Sequence, residues 1–289
     1  MIIIICAIAI GDSICCTPTL RKLSKIHDTK IEVHSNHPDL FKNLPYVKNS
    51  FKLDTSTNIS CNYVFWDPTR QHLNHTFIDL KQYPAYQAGF QLLSTELSCD
   101  YIPDKNTDDL SKFNLPNKYV VVHAPQSWPI KKWSQSKWQT LCNRISLPVI
   151  SIGKSYIVDE PNVDGSQGGY VYGLSNLNNV IDLTNKLTLD QVWHLCNKAK
   201  YVITTDSGIL HLAGTTKSAI IYIAIGRHPE LTKPYKDNIY TISNNCKFCM
   251  SNIEILNKKQ NANLSHCQIN STNETCQPSV DQVLEVIDG

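Results

Sequence analysis

Three short polar clusters in this chain hold residue types that can do chemistry, and each directly follows an apolar run. Gly11-Asp12-Ser13 comes after the isoleucine-rich start. Glycine permits a tight turn there, the free N–H groups of a following helix favour an anion, and an exposed Asp12 carboxylate suits a general base. Aspartate is also a favoured helix N-cap, so a purely structural reading of Asp12 stays open. The second cluster runs from His123 to Trp133, with Lys131 and Lys132 between Trp128 and Trp133. A lysine on a loop at a strand end can neutralise a diphosphate. A solvated basic pair beside two anchoring tryptophans is the competing reading. The third cluster is Thr204-Thr205-Asp206-Ser207-Gly208, with His211 following. Small hydroxyl residues and glycine opening a helix make a backbone-amide cradle for phosphate. Asp206, itself an anion, suits the hydroxyls of a sugar instead. His211 lies about one turn beyond Ser207 and on the same face, or else is a core histidine bonded to backbone. Walker, Rossmann-glycine, nucleophile-elbow and zinc-protease motifs do not occur.

A fourth group is made of thiols. Cys246-Lys247-Phe248-Cys249 is followed by Cys267 and Cys276. A pair two residues apart can chelate one tetrahedral metal, and four thiolates complete its shell. Eight residues separate the second pair, so the spacing is not that of a zinc ribbon. A structural zinc or iron, disulfides and free thiols all remain open. No candidate base or phosphate ligand falls within 246–276, so the segment reads as separate from the site. The other seven of the eleven cysteines sit mostly in apolar runs and read as small core residues.

The elements that must position these clusters follow from the apolar pattern. Ile2–Ile10 reads as a buried parallel strand, Thr17–Ile26 as a helix with Pro18 in its first turn, and Ile31–His34 as a second strand. Asn62–Trp66 reads as a strand and Tyr83–Leu97 as an amphipathic helix. A polar break spans 104–117, after which the pattern restarts. Tyr119–His123, Pro148–Ile152, Tyr201–Thr205 and Ala219–Ala224 read as strands. Lys137–Ile145, Leu189–Ala199, Ile209–Thr215 and Pro278–Ile287 read as helices. Strands alternating with helices predict parallel sheets, here two Rossmann-like α/β domains facing each other across a cleft, over 1–115 and 116–289, with a Cys-rich segment at 246–276. Ligands of such sheets bind beyond the carboxyl ends of the strands, where all three polar clusters lie.

Composition narrows the function. The chain has 289 residues, 27 basic and 25 acidic, for a net charge of +2, which argues against a protein built to hold nucleic acid or an anionic membrane. Met1 to Ile10 is too short for a membrane span and lacks the basic front of a signal peptide. A cytoplasmic protein with its cysteines as thiols or metal ligands is the expectation.

Taken together, the clusters give a specific likeness. The chain resembles the ADP-heptose:lipopolysaccharide heptosyltransferases, glycosyltransferases of the GT-B fold. The resemblance rests on Gly11-Asp12-Ser13-Ile14 with Thr17-Pro18 and Leu20, then His123 with Trp128-Pro129-Ile130-Lys131-Lys132-Trp133 and Trp138. It continues through Asp182-Leu183-Thr184 and Asp206-Ser207-Gly208-Ile209-Leu210-His211-Leu212-Ala213 to Gly226–Pro229, in family order. The resemblance implies inverting transfer of a sugar, a heptose, from a nucleotide-diphosphate donor, with ADP-heptose favoured, to a glycan, a lipid-linked glycan or a protein. It makes Asp12 the base on the acceptor hydroxyl and Lys131 the contact to the donor diphosphate. Asp206 then holds the donor sugar, Ser207 and Gly208 offer amides to the phosphates, and His211 joins the donor site. No catalytic metal is expected. Some members of the family, including an autotransporter-modifying branch, carry metal-bearing Cys-rich C-terminal segments, so a structural zinc or iron and a homo-oligomer are in keeping with it. The chain departs from the family in Gly153-Lys154, where a glycine pair is usual, and in a short N-terminal domain. A sugar-nucleotide epimerase of the same fold and a non-catalytic sugar-nucleotide or glycan-binding scaffold are the alternatives.

Overall fold

The computed structural model describes the chain except for residues 55, 57–58, 68–76, 106, 108, 125–128, 155, 159–169, 173–176, 245 and 253–275. It divides into two compact units. The first comprises Met1–Lys105, Gly208–Thr215 and Glu230–Asp237; the second comprises Asn106–Ser207, Thr216–Pro229 and Asn238–Gly289. Both units are therefore discontinuous in sequence. Among the described residues no helix is long and apolar enough to cross a membrane.

Unit one is built on a four-stranded parallel sheet in the order β3-β2-β1-β4, with β1 at Ile2–Ile5, β2 at Ile31–Ser35, β3 at Val47–Lys52 and β4 at Tyr63–Phe65. Ile3, Ile5, Val33 and Phe65 are fully buried on this sheet, and side chains of this size each stabilise the fold by about 1.5–3 kcal/mol. The first strand is shorter than its apolar run. The isoleucines continue beyond it because the chain turns at Cys6–Ala9, leaving Ile8 77% exposed, and enters helix α1 (Ile10–Cys15). Helix α2 spans Thr17–Ile26 with Pro18 at its start, as the sequence predicts.

The amphipathic stretch at Tyr83–Leu97 does not form one helix. Helix α3 covers only Tyr83–Gln87, and Gly89 follows in the left-handed region at φ +85°. Gln82 then ties the returning chain down, its amide donating to the Leu92 carbonyl at 2.7 Å and its oxygen accepting from the Leu92 N–H at 3.0 Å.

Unit two carries a six-stranded parallel sheet in the order β12-β11-β10-β5-β6-β9. Its strands are β5 (Val120–His123), β6 (Val149–Ser151), β9 (Ile181–Asp182), β10 (Tyr201–Thr204), β11 (Ala219–Ile223) and β12 (Ile239–Ile242); β7 (Tyr156–Val158) and β8 (Tyr170–Tyr172) pair separately as an antiparallel ribbon. Strand β5 is a run of valines buried on both faces, as a central parallel strand must be. Helices α4 (Gln135–Arg144), α5 (Leu189–Lys198) and α7 (Val280–Asp288) each start at a hydroxyl N-cap: Ser134, Thr188 and Ser279 accept from the backbone N–H three residues on. Trp133 and Trp138 meet edge to face at 4.9 Å within the core beside α7. Helix α6 (Gly208–Ala213) follows β10 in sequence but belongs to unit one.

Strand order fixes where each sheet can bind. In the larger sheet, successive strands run one way from β5 to β9 and the other way from β10 to β12, so the reversal lies between β5 and β10. In the smaller sheet it lies between β1 and β4. The crevice at such a reversal, beyond the carboxyl ends, is the ligand position of open α/β sheets.

Candidate functional site

In unit two, β5 and β10 end side by side with His123 in register with Thr204. Thr204 is fully buried and His123 is 9% exposed. The His123 Nδ1 lies 3.3 Å from Ser207 Oγ and 3.4 Å from Thr204 Oγ1, and the two hydroxyls are 3.1 Å apart. Burial pushes the His123 imidazole down to about 4, so it is neutral near pH 7. A neutral ring offers one lone pair and one N–H, and two rotating hydroxyls can satisfy whichever nitrogen faces them. Ser207 is thereby held at the end of β10. The sequence placed His123 in the cluster without giving it this part.

Lys131 and Asp206 meet in the same unit. The Lys131 ammonium sits 2.7 Å from Asp206 Oδ2, with the lysine side chain 15% exposed and the aspartate 4%. A charge-assisted contact so little exposed is held firmly, because each group loses solvation that the other replaces. Lys132, by contrast, is exposed. The short 3-10 turn Pro129–Lys131 rests on Gly226, which follows β11 at φ +80°. A Cβ on Gly226 would lie 2.9 Å from the Ile130 carbonyl oxygen, so only glycine lets the turn settle there. Trp128 lies outside the described residues.

In unit one, Gly11, Asp12 and Ser13 fall inside α1. Ala9 occupies the N-cap position without a side-chain cap bond, so Asp12 is a half-buried first-turn residue and not a cap. A carboxylate there is favoured by the helix dipole. Helix α1 crosses α6 at its glycines: a Cβ on Gly11 would lie 2.9 Å from His211 Cδ2 and 3.2 Å from Gly208 Cα. A Cβ on Gly208 would lie 3.3 Å from the Gly11 nitrogen. His211 is 3% exposed, its Nδ1 3.4 Å from Cys15 Sγ. Burial, then a hydrogen bond with Cys99, pushes the Cys15 thiol well up, so it stays protonated. The buried thiol and the His211 ring are thus neighbours, and the contact fixes the ring beside α1. The preceding loop is held by His37, whose Nε2 lies 2.6 Å from the Ile8 carbonyl, and by Asn36, which donates to the Ala7 carbonyl at 3.3 Å.

The thiol group is described in part. Cys246 and Cys249 frame a turn in which the Phe248 N–H donates to Cys246 Sγ at 3.3 Å, with Phe248 in the left-handed region at φ +48°. The Phe248 ring contacts His228 edge-on at 5.1 Å, and the His228 N–H donates to Ser251 Oγ at 2.8 Å. Cys276 is buried, and Cys267 lies outside the described residues. Among the described residues no group of three or more His, Cys, Asp or Glu side chains could hold a metal ion.

Parallel doubly wound sheets with polar clusters at their strand reversals define an α/β protein of the GT-B class. Residues 70–262, more than half of the chain, match the family model described as glycosyltransferase family 9 (heptosyltransferase). A search of the curated proteins finds no match. Solved structures agree in fold over 99% of this chain. The glycosyltransferase of family 9 from Veillonella parvula DSM 2008 is 14% identical, covered over 96% of its length, at a TM-score of 0.66. The ADP-heptose LPS heptosyltransferase II of E. coli is 14% identical, covered over 97%, at 0.67. The iron-containing dodecameric glycosyltransferase TibC of enterotoxigenic E. coli H10407 is 17% identical, covered over 75%, at 0.68. The chain belongs to glycosyltransferase family 9 (heptosyltransferase) and is a glycosyltransferase. The family match includes Lys131, Asp206, Ser207, Gly208, His211, Cys246 and Cys249, while Asp12, Cys267 and Cys276 lie outside it.

Proposed function

We propose that this glycosyltransferase moves a heptose from ADP-heptose to a hydroxyl of a glycan, a lipid-linked glycan or a protein, inverting the anomeric centre, with Asp12 as general base. The Lys131–Asp206 pair beside the His123-held Ser207, at the strand reversal of the larger sheet, is the observation that carries it. A cation, a buried carboxylate and helix-opening amides in one place match the three chemistries of a nucleotide-diphosphate sugar: diphosphate, sugar hydroxyls and leaving charge. In support, TibC is described in complex with ADP-D-beta-D-heptose, and an E. coli heptosyltransferase with ADP.

In this reading Asp12 takes the proton of the acceptor hydroxyl as that oxygen attacks the anomeric carbon on the face opposite the diphosphate. The bond from that carbon to the phosphate oxygen breaks, and ADP leaves with the electron pair. Lys131 and the amides of Ser207 and Gly208 stabilise the charge that develops on ADP. Fixed positive charge and backbone dipoles do this work, so no catalytic metal is called for. Asp206 accepts hydrogen bonds from the heptose. His211 serves the donor side by seating the helix that Gly208 opens. In this reading the acceptor side is assigned to residues 1–115 and the donor side to 116–289, although Gly208–Thr215 and Glu230–Asp237 pack in the first compact unit and the second begins at Asn106. The same reading has the enzyme act in the cytoplasm; among the described residues no helix is long and apolar enough to cross a membrane. The deciding assay is ADP release from ADP-heptose with a panel of acceptors. Binding of ADP-heptose without turnover by any of them would favour the scaffold reading.

A structural zinc or iron belongs to the same proposal, held by Cys246, Cys249, Cys267 and Cys276, and the relative TibC is described as iron-containing and dodecameric. In support, the Phe248 N–H donates to Cys246 Sγ, a contact of the kind that holds a metal-ligating sulfur in place. The metal would supply folding free energy to a segment poor in apolar residues, and the chain would assemble as a homo-oligomer. Elemental analysis of protein purified without added metal should find about one equivalent per chain; less than about a tenth overturns this part.

A further inference from the structure

The loop that carries Lys131 is clamped from a distant part of the chain. Gln277 is 5% exposed, and both ends of its side-chain amide are used. Its Oε1 accepts from the Ser134 N–H at 2.9 Å, and its Nε2 donates to the Lys132 carbonyl at 3.1 Å. Between these two residues, the Trp133 indole donates to the Pro278 carbonyl at 2.9 Å. Lys137 donates to the same carbonyl at 3.1 Å and to that of Gln277 at 3.4 Å, which also receives the Asn244 amide at 3.4 Å. On the other side of Lys131, Ile130 sits on Gly226. The lysine is thus the one residue between a steric seat and a hydrogen-bonded clamp.

A lysine side chain has four rotatable bonds, and where its ammonium rests depends on how firmly its backbone is held. We propose that Gln277 is a positioning residue for Lys131, fixing the Lys132-Trp133-Ser134 backbone so that the ammonium stands where the donor diphosphate needs it. This rests on the reading of Lys131 as the diphosphate contact. It also gives the thiol segment a connection to the site that the sequence does not show. Gln277 directly follows Cys276, and at the other flank the Cys246–Cys249 turn touches His228, two residues beyond the Gly226 seat. The Gln277 end of the segment thus holds the Lys131 loop directly, while the other described end contacts His228, close in sequence to the Gly226 seat.

The test is a double-mutant cycle read by calorimetric titration of ADP into the full chain. Gln277→Met keeps the unbranched side-chain length and removes both hydrogen bonds. It should weaken ADP binding roughly threefold to tenfold in the native background and by less than about twofold in a Lys131→Ala background. A residue of merely structural importance would weaken both backgrounds equally, and that result overturns the proposal. So does unchanged affinity of Gln277→Met when Lys131→Ala alone is weakened. If Lys131→Ala alone leaves ADP binding intact, the reading of Lys131 fails first and takes the proposal with it. Should Gln277→Met not fold, Gln277→Glu serves in its place. It keeps the bond to Ser134, sets an acceptor against the Lys132 carbonyl, and should show the same loss confined to the native background.

Discussion

Asp12 and Lys131 are held in opposite ways. Asp12 rides on a helix whose position is set by shape, because Gly11 and Gly208 let the α1 and α6 backbones touch and His211 fills the space beside them. Lys131 lies in a turn set partly by a glycine seat but mainly by directional bonds, those of Gln277 and Trp133 over its successors and the one its ammonium donates to Asp206. A contact set by shape tolerates no added atom and changes abruptly. A seat made of hydrogen bonds loses strength in steps of about 1 kcal/mol. A base that must meet one proton gains from the first, and a cation that must follow a diphosphate can work with the second.

The comparison breaks most sharply at Asp12. Asp12→Asn should lower transfer by about 10²–10⁴-fold, the usual range of general acid–base contributions, with the fold intact. Steady-state transfer rates check this, and unchanged turnover would remove Asp12 from the mechanism.

Next in size is His123. Its imidazole titrates near 4 in the folded protein and near 6.5 when unfolded. Stability is therefore full above pH 6.5 and is lost as pH falls toward 4, because the unfolded chain takes up the proton first. The loss reaches about 3 kcal/mol at most. Denaturant unfolding of the native chain and of His123→Gln should give curves that diverge below pH 6.5; parallel curves would mean that His123 is not buried neutral. The shape-set contact follows. Gly11→Ala should cost about 1–3 kcal/mol and depress transfer, since the new methyl meets His211 and the Gly208 backbone. Gly208→Ala, with its nearest atom at 3.3 Å, should cost less. Equal melting temperatures for Gly11→Ala and the native chain would show that the helix crossing has slack.

The same contrast explains what the sequence makes legible. Helix α2 is readable because Pro18 and an apolar stripe mark it locally, and β5 because three valines admit only a strand buried on both faces. Strands β3 and β12 escape notice: Val47–Lys52 is an exposed edge with no apolar alternation, and Ile239–Ile242 is four residues long. Helix α3 stops early through a backbone conformation at Gly89 that residue type only permits. Asp12, Lys131 and Asp206 stand out as polar residues after apolar runs, yet the Lys131–Asp206 pairing joins residues 75 apart and needs the sheet to exist. Gln277 has no local signal at all, since its importance lies wholly in partners more than 140 residues away.

The central claim is a division of labour, with Asp12 acting on the acceptor and Lys131 on the donor. Calorimetric titration of ADP into Lys131→Ala and Asp12→Asn, at low and at moderate salt, tests it most directly. Lys131→Ala should lose about tenfold in affinity, and the difference from the native chain should shrink as salt screens the phosphate contact. Asp12→Asn should stay within about threefold of native at both salts, since the base makes no contact with ADP in this account. Native affinity in Lys131→Ala, or an equal loss in both variants, would contradict it.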